Sequence, residues 1–222
     1  MKPFEICEDV YQIGGPYLSD PDDCSVYLVR SEPQLVLLDC GAGRSFEKLV
    51  KNIKALGFQP EQLKTIIATH AHIDHIGALA EFKERFGCQV VAHYLDAEKI
   101  ESGEGTGAEW YGLPYTPCRV DIKLMQGEES LNLGKHIFKL LHAPGHTPGS
   151  LVCYLDIRGQ RVLFGQDIHG PYNLPGSDPE LARKSLQKLI ELEADILCEG
   201  HFGIFQPRQE VRRYIERYLR SL

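Results

Sequence analysis

Residues 69–77 read Thr69-His70-Ala71-His72-Ile73-Asp74-His75-Ile76-Gly77, and the rest of the chain is best understood from this segment. The apolar, β-branched run at 63–68 before it predicts a buried strand, and the helical spacing of apolar residues at 79–86 predicts a helix after it. Three imidazoles and a carboxylate are thus crowded into one turn. Neutral imidazole nitrogens and carboxylates are ligands for zinc and similar first-row ions. The segment therefore predicts a metal site.

Three later residues offer further ligands of the same kind. His146 lies in the motif Pro-Gly-His-Thr-Pro-Gly at 144–149, Asp167 ends the motif Phe-Gly-Gln-Asp, and His201 follows an apolar run. Each of the three comes directly after a predicted strand. Because loops that follow strands gather at one edge of a sheet, we expect these side chains to join the turn at 70–75.

The composition favours a protein that acts on small molecules. With 222 residues, 43% of them apolar, the chain can bury a large core, and we expect a single domain over 1–222. A net charge of −7 and the lack of a basic run argue against nucleic acid and anionic membrane surfaces as partners. No window approaches the roughly eighteen apolar residues of a membrane-spanning helix.

The cysteines and the first residues predict a cytoplasmic location. Seven cysteines without a Cys-x-x-Cys pair do not form a disulfide framework. Cys40, Cys153 and Cys198 lie in apolar runs, which predicts buried thiols in a reducing compartment. Residues 1–11 lack the apolar core of a signal peptide.

Strand and helix patterns alternate along both halves of the chain. Strands are predicted at 10–13, 25–29, 35–38, 63–68, 89–92, 120–124, 135–141, 151–156, 161–164 and 196–198. Helices are predicted at 46–56 with Ser45 as N-cap, at 79–86, at 179–190 with Asp178 as N-cap, and at 211–222. This order suits two sheets packed face to face with helices outside.

The motifs resemble those of the metallo-β-lactamase superfamily over nearly the whole chain. They are the turn at 70–75, the motif around His146, Asp167, His201 and the aspartate–glycine turn at 39–41. The resemblance implies an α/β fold, a four-layer αβ/βα sandwich with the metals at one edge. It implies two zinc ions, with iron or manganese as alternatives. The implied ligands are His70, His72 and His146 for the first metal, Asp74, His75 and His201 for the second, and Asp167 as the bridge.

Differences between branches of the superfamily narrow this resemblance. β-Lactamases of the class nearest to this motif lack a bridging aspartate, so Asp167 argues against a true β-lactamase. Flavodiiron oxygen reductases carry glutamate where His72 stands. Glyoxalase II enzymes match the seven ligands but add a longer C-terminal helical region with basic residues for glutathione. Lactonases carry a tyrosine shortly after the bridging aspartate, and Tyr172 lies only near that position. The chain is most similar to a glyoxalase II-like or lactonase-like branch.

A dinuclear centre implies a hydrolase. Two divalent ions about 3.5–4 Å apart can share a hydroxide at neutral pH, and we expect it to cleave an ester, thioester, lactone or amide bond. Asp74 is expected to be catalytic as well as a ligand, because a carboxylate there can orient the hydroxide and carry its proton to the leaving group. Asp39 is expected to orient the ligand loops through hydrogen bonds rather than to bind metal.

Three other functions stay open. A phosphodiesterase could use the same centre. A persulfide dioxygenase would use one iron held by His70, His146 and Asp167, although the presence of His75 and His201 argues against a mononuclear site. A non-catalytic binding protein would have little reason to keep seven ligands.

Two long loops, at 14–23 and 101–118, differ from their neighbours in composition and are predicted to close over the metal edge. They carry Tyr17 in the first loop and Trp110 and Tyr111 in the second. Because these groups are aromatic rather than basic, we expect a small-molecule substrate with an acyl or aromatic body.

Further histidines and a tyrosine surround the ligands in sequence. His169 and Tyr172 follow Asp167 closely and are candidate substrate contacts. His142 is a candidate for supporting the ligands or binding substrate, and His136 is predicted to be a surface residue of a strand. The oligomeric state stays open, with a homodimer as one option.

Overall fold

The first of two β-sheets contains seven strands, and their order in space is their order in the chain. They are β1 (Phe4–Cys7), β2 (Val10–Gly14), β3 (Val26–Ser31), β4 (Gln34–Leu38), β5 (Leu63–Ile67), β6 (Gln89–His93) and β7 (Ile122–Leu124). Strands β1 to β4 are antiparallel, and β4 to β7 are parallel. The structure, a computed structural model, describes residues 1–222.

The second sheet contains six strands in the order β13-β12-β11-β10-β9-β8. They are β8 (Glu128–Leu133), β9 (His136–His142), β10 (Leu151–Ile157), β11 (Gln160–Gln166), β12 (Ile196–Glu199) and β13 (Ile204–Phe205). Only β11 and β12 are parallel. The hairpin between β10 and β11 turns through Arg158 and Gly159, both with positive φ, as a tight two-residue hairpin requires.

Seven helices complete the chain: α1 (Phe46–Ala55), α2 (Ile73–Ile76), α3 (Leu79–Phe86), α4 (Tyr94–Ser102), α5 (Ala108–Tyr111), α6 (Pro179–Glu191) and α7 (Arg208–Ser221). Asp178 caps α6, where its carboxylate accepts hydrogen bonds from the amides of Glu180 and Leu181. Ser45 occupies the N-cap position of α1, but its hydroxyl makes no capping hydrogen bond. No helix has the length and apolar composition that crossing a membrane would require.

The alternation of side chains along each strand produces four layers. In β3, Val26 and Leu28 face α1, α3 and α4, whereas Tyr27 and Val29 face the second sheet. In β11, Leu163 packs under α6 and α7, whereas its neighbours in the strand face the first sheet. The order is therefore helix, sheet, sheet, helix, as predicted for the αβ/βα sandwich.

Packing rather than surface charge holds the last helix in place. The buried face of α7 is formed by Val211, Tyr214 and Ile215. Burial of the Val211 and Ile215 side chains contributes roughly 1.5–3 kcal/mol each. The exposed Arg–Glu pairs along the helix, such as Arg212 with Glu216, are each expected to contribute about 0–1 kcal/mol.

Several elements differ from the prediction. Strands β1, β8 and β13 and helix α4 were not predicted, and the loop predicted at 101–118 contains the end of α4 and the whole of α5. His136 begins β9, but its side chain is mostly buried against Asp9 rather than at the surface. Cys40, Cys153 and Cys198 are buried free thiols, which confirms that prediction.

A buried aspartate fastens the two sheets at one end. Asp9, in the turn between β1 and β2, accepts a hydrogen bond from Arg30 Nε of the first sheet at 2.6 Å. It also contacts Lys135 Nζ at 2.7 Å and His136 Nε2 at 3.1 Å, both at the start of β9 in the second sheet. The opposite ends of β2 and β3 lie at the edge where the histidines gather, and there the Ser25 amide donates to the Gly200 carbonyl at 2.6 Å.

Candidate metal centre

The candidate ligands lie in loops that leave the carboxyl ends of strands from both sheets. The turn at 70–75 follows β5 of the first sheet. His146 follows β9, Asp167 follows β11 and His201 follows β12, all in the second sheet. The face-to-face packing of the sheets therefore brings the seven predicted ligands to one edge.

The first cluster consists of His70, His72 and His146. Nδ1 of His72 lies 3.1 Å from Nε2 of His70 and 2.8 Å from Nε2 of His146, so three ring nitrogens converge on one point. Burial lowers the pKa of all three imidazoles, that of His72 to about 3. The rings are therefore neutral at physiological pH and keep a lone pair for a metal.

The second cluster consists of Asp74, His75 and His201. Oδ2 of Asp74 lies 3.4 Å from Nε2 of His75 and 3.3 Å from Nε2 of His201. Burial opposes a charge on His201, but the neighbouring carboxylates of Asp167 and Asp74 raise its pKa to about 10. Burial likewise opposes a charge on His75, yet Cys24 and the nearby carboxylates raise its pKa well above the ordinary value. The carboxylates of Asp74 and the neighbouring Asp167 are thus stabilised by positive charge, which protons or a metal cation can supply.

Asp167 lies between the two clusters and presents one oxygen to each. Its Oδ2 lies 3.4 Å from Nε2 of His146 and 3.9 Å from Nε2 of His70. Its Oδ1 lies 3.2 Å from Nε2 of His75 and 3.3 Å from Nε2 of His201. One carboxylate therefore contacts both sets of nitrogens.

Two buried polar atoms without hydrogen-bond partners indicate that the donor set fits metal ions. Nε2 of His75 and Oδ1 of Asp167 are buried, yet neither has a hydrogen-bond partner of acceptable geometry. Buried polar atoms without partners are rare and need a cause. A cation between the clusters would satisfy both atoms, and nitrogen and carboxylate oxygen are suitable donors for zinc, iron or manganese.

Hydrogen bonds on the far side of the rings orient the ligands. Nδ1 of His146 lies 2.9 Å from the Pro171 carbonyl oxygen. Since a carbonyl only accepts, Nδ1 carries the proton and Nε2 is left free to bind metal. Nδ1 of His75 lies 2.7 Å from Oδ2 of Asp39 and is oriented in the same way.

Asp39 ties the ligand loops together, as its predicted role requires. Its carboxylate accepts from the amide and hydroxyl of Thr69, at 2.8 and 2.7 Å, and from Nε2 of Gln166 at 2.5 Å. Together with the contact to His75, these bonds join the turn at 70–75 to the residue before Asp167. Asp39 is fully buried and has a positive φ of 59°.

Two glycines allow close approach at the site. A Cβ at Gly77 would overlap the backbone of Ala42, so the turn that follows the histidines can pass the loop after β4 only as glycine. A Cβ at Gly200 would lie 2.6 Å from Oδ1 of Asp167, inside the contact distance of the two atoms. Glycine at 200 therefore keeps space beside the central carboxylate.

An open cavity of about 570 Å³ lies over the two clusters. Of the predicted substrate contacts, Trp110, Tyr111 and His169 line it, and the Trp110 ring lies 6.2 Å from that of His72. Tyr17 does not line it and is 81% exposed elsewhere. Tyr172 lies behind the ligands, where its hydroxyl donates to the Ile168 carbonyl at 2.5 Å.

His142 does not line the open cavity either. Its ring stacks on His93 with centroids 3.8 Å apart, and its Nε2 lies 2.8 Å from the Pro148 carbonyl oxygen. Pro148 belongs to the loop that carries His146. His142 therefore supports a ligand loop from outside the cavity and is not placed to touch a substrate.

Three residues at the site were missed in the sequence. Asp96, fully buried in the first turn of α4, accepts from the Ala71 amide at 3.0 Å, the Gly149 amide at 2.9 Å and the Thr147 hydroxyl at 2.7 Å. It thus joins the two loops that carry the first cluster. Glu199 is buried beneath His201, and Phe202 lines the cavity. Only their nearness to His201 in sequence could have pointed to the last two.

Comparisons with known proteins show the family of the chain. The family model described as the metallo-beta-lactamase superfamily matches residues 19–201. The probable metallo-hydrolase YqgX of Bacillus subtilis is 32% identical over 189 residues, covering 82% of this chain and 86% of that protein. The hydroxyacylglutathione hydrolase GloC of Haemophilus influenzae is 28% identical over 205 residues, covering 89% and 93%. The human acyl-coenzyme A thioesterase MBLAC2 is 25% identical over 229 residues, covering 89% and 80%.

Solved structures agree on the fold. The Rm3 metallo-beta-lactamase superposes with a TM-score of 0.82 at 27% identity, covering 100% of this chain and 93% of that chain. A metallo-beta-lactamase from Cronobacter sakazakii superposes with a TM-score of 0.83 at 23% identity, covering 100% and 95%, a likeness of fold alone. The chain belongs to the metallo-β-lactamase superfamily and is a metal-dependent hydrolase.

Proposed function

We propose that the chain, as one domain over 1–222, is a dinuclear metal-dependent hydrolase of thioesters and related esters. The observation that carries this proposal is the position of Asp167, whose two oxygens face separate clusters of nitrogen ligands at 3.2–3.9 Å. A mononuclear site needs no such carboxylate between two complete ligand sets. The same position argues against the β-lactamase branch that lacks this aspartate.

The ligands would divide as the clusters do. His70, His72 and His146 would hold one ion, and Asp74, His75 and His201 the other. Two divalent ions held there would supply Lewis acidity towards a carbonyl group and lower the pKa of a water molecule. Zinc is the first choice, with iron or manganese as alternatives, since no thiolate ligand narrows the selection.

Asp74 is the residue of the chain best suited to move a proton. Burial raises the pKa of its carboxyl, but His75 and His201 lower that pKa by a larger amount. The net shift is therefore downward and keeps Asp74 ionised at neutral pH. It lines the open cavity, where an attacking water would lie. An ionised carboxylate in that position can accept a proton and return it to the leaving group.

The cavity favours carbonyl substrates with apolar bodies. Trp110, Tyr111, Phe202 and Leu174 line it, and no lysine or arginine does. Two relatives named as hydrolases of thioesters, GloC and MBLAC2, support thioesters within the wider class of esters, lactones and amides. The lack of a cationic side chain makes a phosphodiester a weaker candidate, because phosphate recognition relies on arginine and lysine.

The persulfide dioxygenase alternative is disfavoured by the second cluster. One iron on His70, His146 and Asp167 would leave Asp74, His75 and His201 without a metal ion to bind. These three side chains nevertheless keep their donor atoms within 4.8 Å of one another, with Asp74 and His75 buried and His201 partly buried.

Metal analysis tests the proposal directly. We expect about two metal ions per chain, as a two-metal hydrolase site requires, measured by mass spectrometry of the purified protein. Removing them with a chelator should abolish hydrolysis of a thioester, and adding zinc should restore it. Asp156→Asn, at a surface residue of β10 that pairs with Arg161, should keep both metals. One tightly held iron with persulfide-dependent oxygen uptake would contradict the proposal.

Trp110→Ala tests where the substrate body lies. Since Trp110 is 56% exposed at the cavity wall, its removal should raise KM for a bulky thioester by roughly 10-fold through lost apolar contact. The KM for an acetyl thioester should change little, and metal content should stay the same. Tyr17→Ala is the matched control and should leave both KM values unchanged. Equal effects on the two substrates would place the body elsewhere.

A further inference from the structure

Glu199 is a fully buried carboxylate directly beneath the metal edge. It ends β12, two residues before His201. Its Oε2 accepts hydrogen bonds from two backbone amides, that of His201 at 2.6 Å and that of Phe202 at 2.7 Å. Its Oε1 lies 2.6 Å from Nδ1 of His169. One side chain thus holds the backbone of a metal ligand and the ring of a second histidine.

His169 is oriented by this contact towards the cavity. A carboxylate oxygen accepts hydrogen bonds, so the 2.6 Å contact favours the tautomer in which Nδ1 of His169 donates to Glu199. Nε2, on the other side of the ring, has no hydrogen-bond partner in the protein and is not buried. The ring itself lies against Phe202 at 4.8 Å and His201 at 5.4 Å between centroids, and it lines the open cavity.

His169 is not one of the seven ligands. Both oxygens of Asp167 already face the ligand nitrogens, and the only hydrogen-bonded contact of the His169 side chain is with Glu199. Because Glu199 holds Nδ1 of His169 and Nε2 has no partner in the protein, Nε2 is available to bind a further group. Since His169 lines the cavity beside the second cluster, a group bound to Nε2 would belong to the substrate.

We propose that Glu199 fixes His169 as the Nδ1–H tautomer, so that Nε2 accepts a hydrogen bond from the substrate next to the scissile bond. This inference rests on the proposed function. Glu199 is then a positioning residue, and His169 touches the substrate. The proposed hydrogen bond to Nε2 narrows the substrate class to thioesters or esters that carry an N–H or O–H group near the reacting carbonyl, on the acyl or the leaving side.

Two variants separate orientation from contact. Glu199→Gln keeps the shape of the side chain and an oxygen for the two amides, but its NH₂ group turns towards His169 and forces the opposite tautomer, with Nε2–H. His169→Asn keeps a donor in the place of Nδ1 and removes Nε2. Glu210→Gln, at an exposed residue of α7, is the matched control.

Nitrogen NMR of the zinc-loaded protein with ¹⁵N-labelled histidine tests the tautomer without any turnover. The His169 signals, identified by their loss in His169→Asn, should show a protonated Nδ1 in the wild type and in Glu210→Gln. Glu199→Gln should show a protonated Nε2. The same tautomer in the wild type and in Glu199→Gln would overturn the inference.

Matched thioester pairs test the contact with the substrate. One pair has leaving groups N-acetylcysteamine and 2-mercaptoethyl acetate, which differ by N–H against oxygen. The other has lactoyl and propanoyl groups, which differ by a hydroxyl. We expect the wild type to favour the donor-bearing member of one pair by about 10-fold in kcat/KM, since a site that hydrogen-bonds a substrate rejects the analogue lacking the donor. Both variants should lose this preference and keep their metals.

The outcomes distinguish this inference from the function on which it rests. No preference in either pair, or a preference that survives in His169→Asn, would overturn the contact. If the wild type cleaves none of the four thioesters, the proposed thioester hydrolysis is wrong. The NMR result then decides the orientation of His169 by itself.

Discussion

Asp167→Ala is expected to remove metal and activity together. Asp167 is the one carboxylate whose oxygens contact both clusters. Its loss would remove a ligand from each metal position, together with the carboxylate oxygen nearest to Nε2 of His75. Because metal ions supply several kcal/mol of transition-state stabilisation, kcat/KM for a thioester should fall by about 10³-fold or more. Metal content and steady-state kinetics measured on the same preparation check this.

Asp156→Ala is the control for that experiment. Asp156 lies in β10 and pairs with Arg161 at the surface, far from the ligand loops. It should keep full metal content and activity. A variant of Asp167 that retains both metals with near-normal turnover would show that the carboxylate does not bridge.

Asp74→Asn is expected to separate turnover from metal binding. Asparagine keeps an oxygen near His75 and His201 but cannot accept a proton as the carboxylate does. Loss of a general base typically costs about 10²–10⁴-fold in rate, so kcat should fall by that amount. The first metal should stay bound, because its three histidines are untouched.

Metal content and kcat measured together test the role of Asp74, with Asp156→Asn as the control for the substitution itself. Near-normal turnover in Asp74→Asn would exclude the proton-carrying role. Loss of both metals, as in Asp167→Ala, would instead make Asp74 a structural ligand only.

The elements with strong apolar patterns could be predicted from the sequence, and the weak ones could not. Strands β4, β5 and β10 are apolar runs whose burial follows from composition alone. Strand β8, Glu128–Leu133, is an edge strand of alternating polar residues, and only its pairing with β9 makes it a strand. Helix α4 buries Asp96 where an apolar residue would be expected, and this hides its helical pattern.

The candidate ligands could be predicted because their chemistry is dense and local. Three histidines and an aspartate within six residues have few explanations other than a metal, and the later ligands share their position after a strand. The supporting residues could not be predicted, because Asp96 and Glu199 act on loops that are distant in sequence or on backbone amides. Tyr17 and Tyr172 show the converse, since neither a place in a long loop, for Tyr17, nor nearness to Asp167 in sequence, for Tyr172, brought the side chain to the cavity.

The ion-pair contacts of Asp9 between the two sheets have a consequence for the opposite edge of the molecule. Arg30, Lys135 and His136 fix the relative rotation of the sheets at one end, while Ser25 and Gly200 join them at the other. The candidate ligands from both sheets are therefore brought together by folding itself, without the need for an ion. Metal binding then lowers the conformational entropy of the chain only slightly, because the loops were already ordered when the sheets packed.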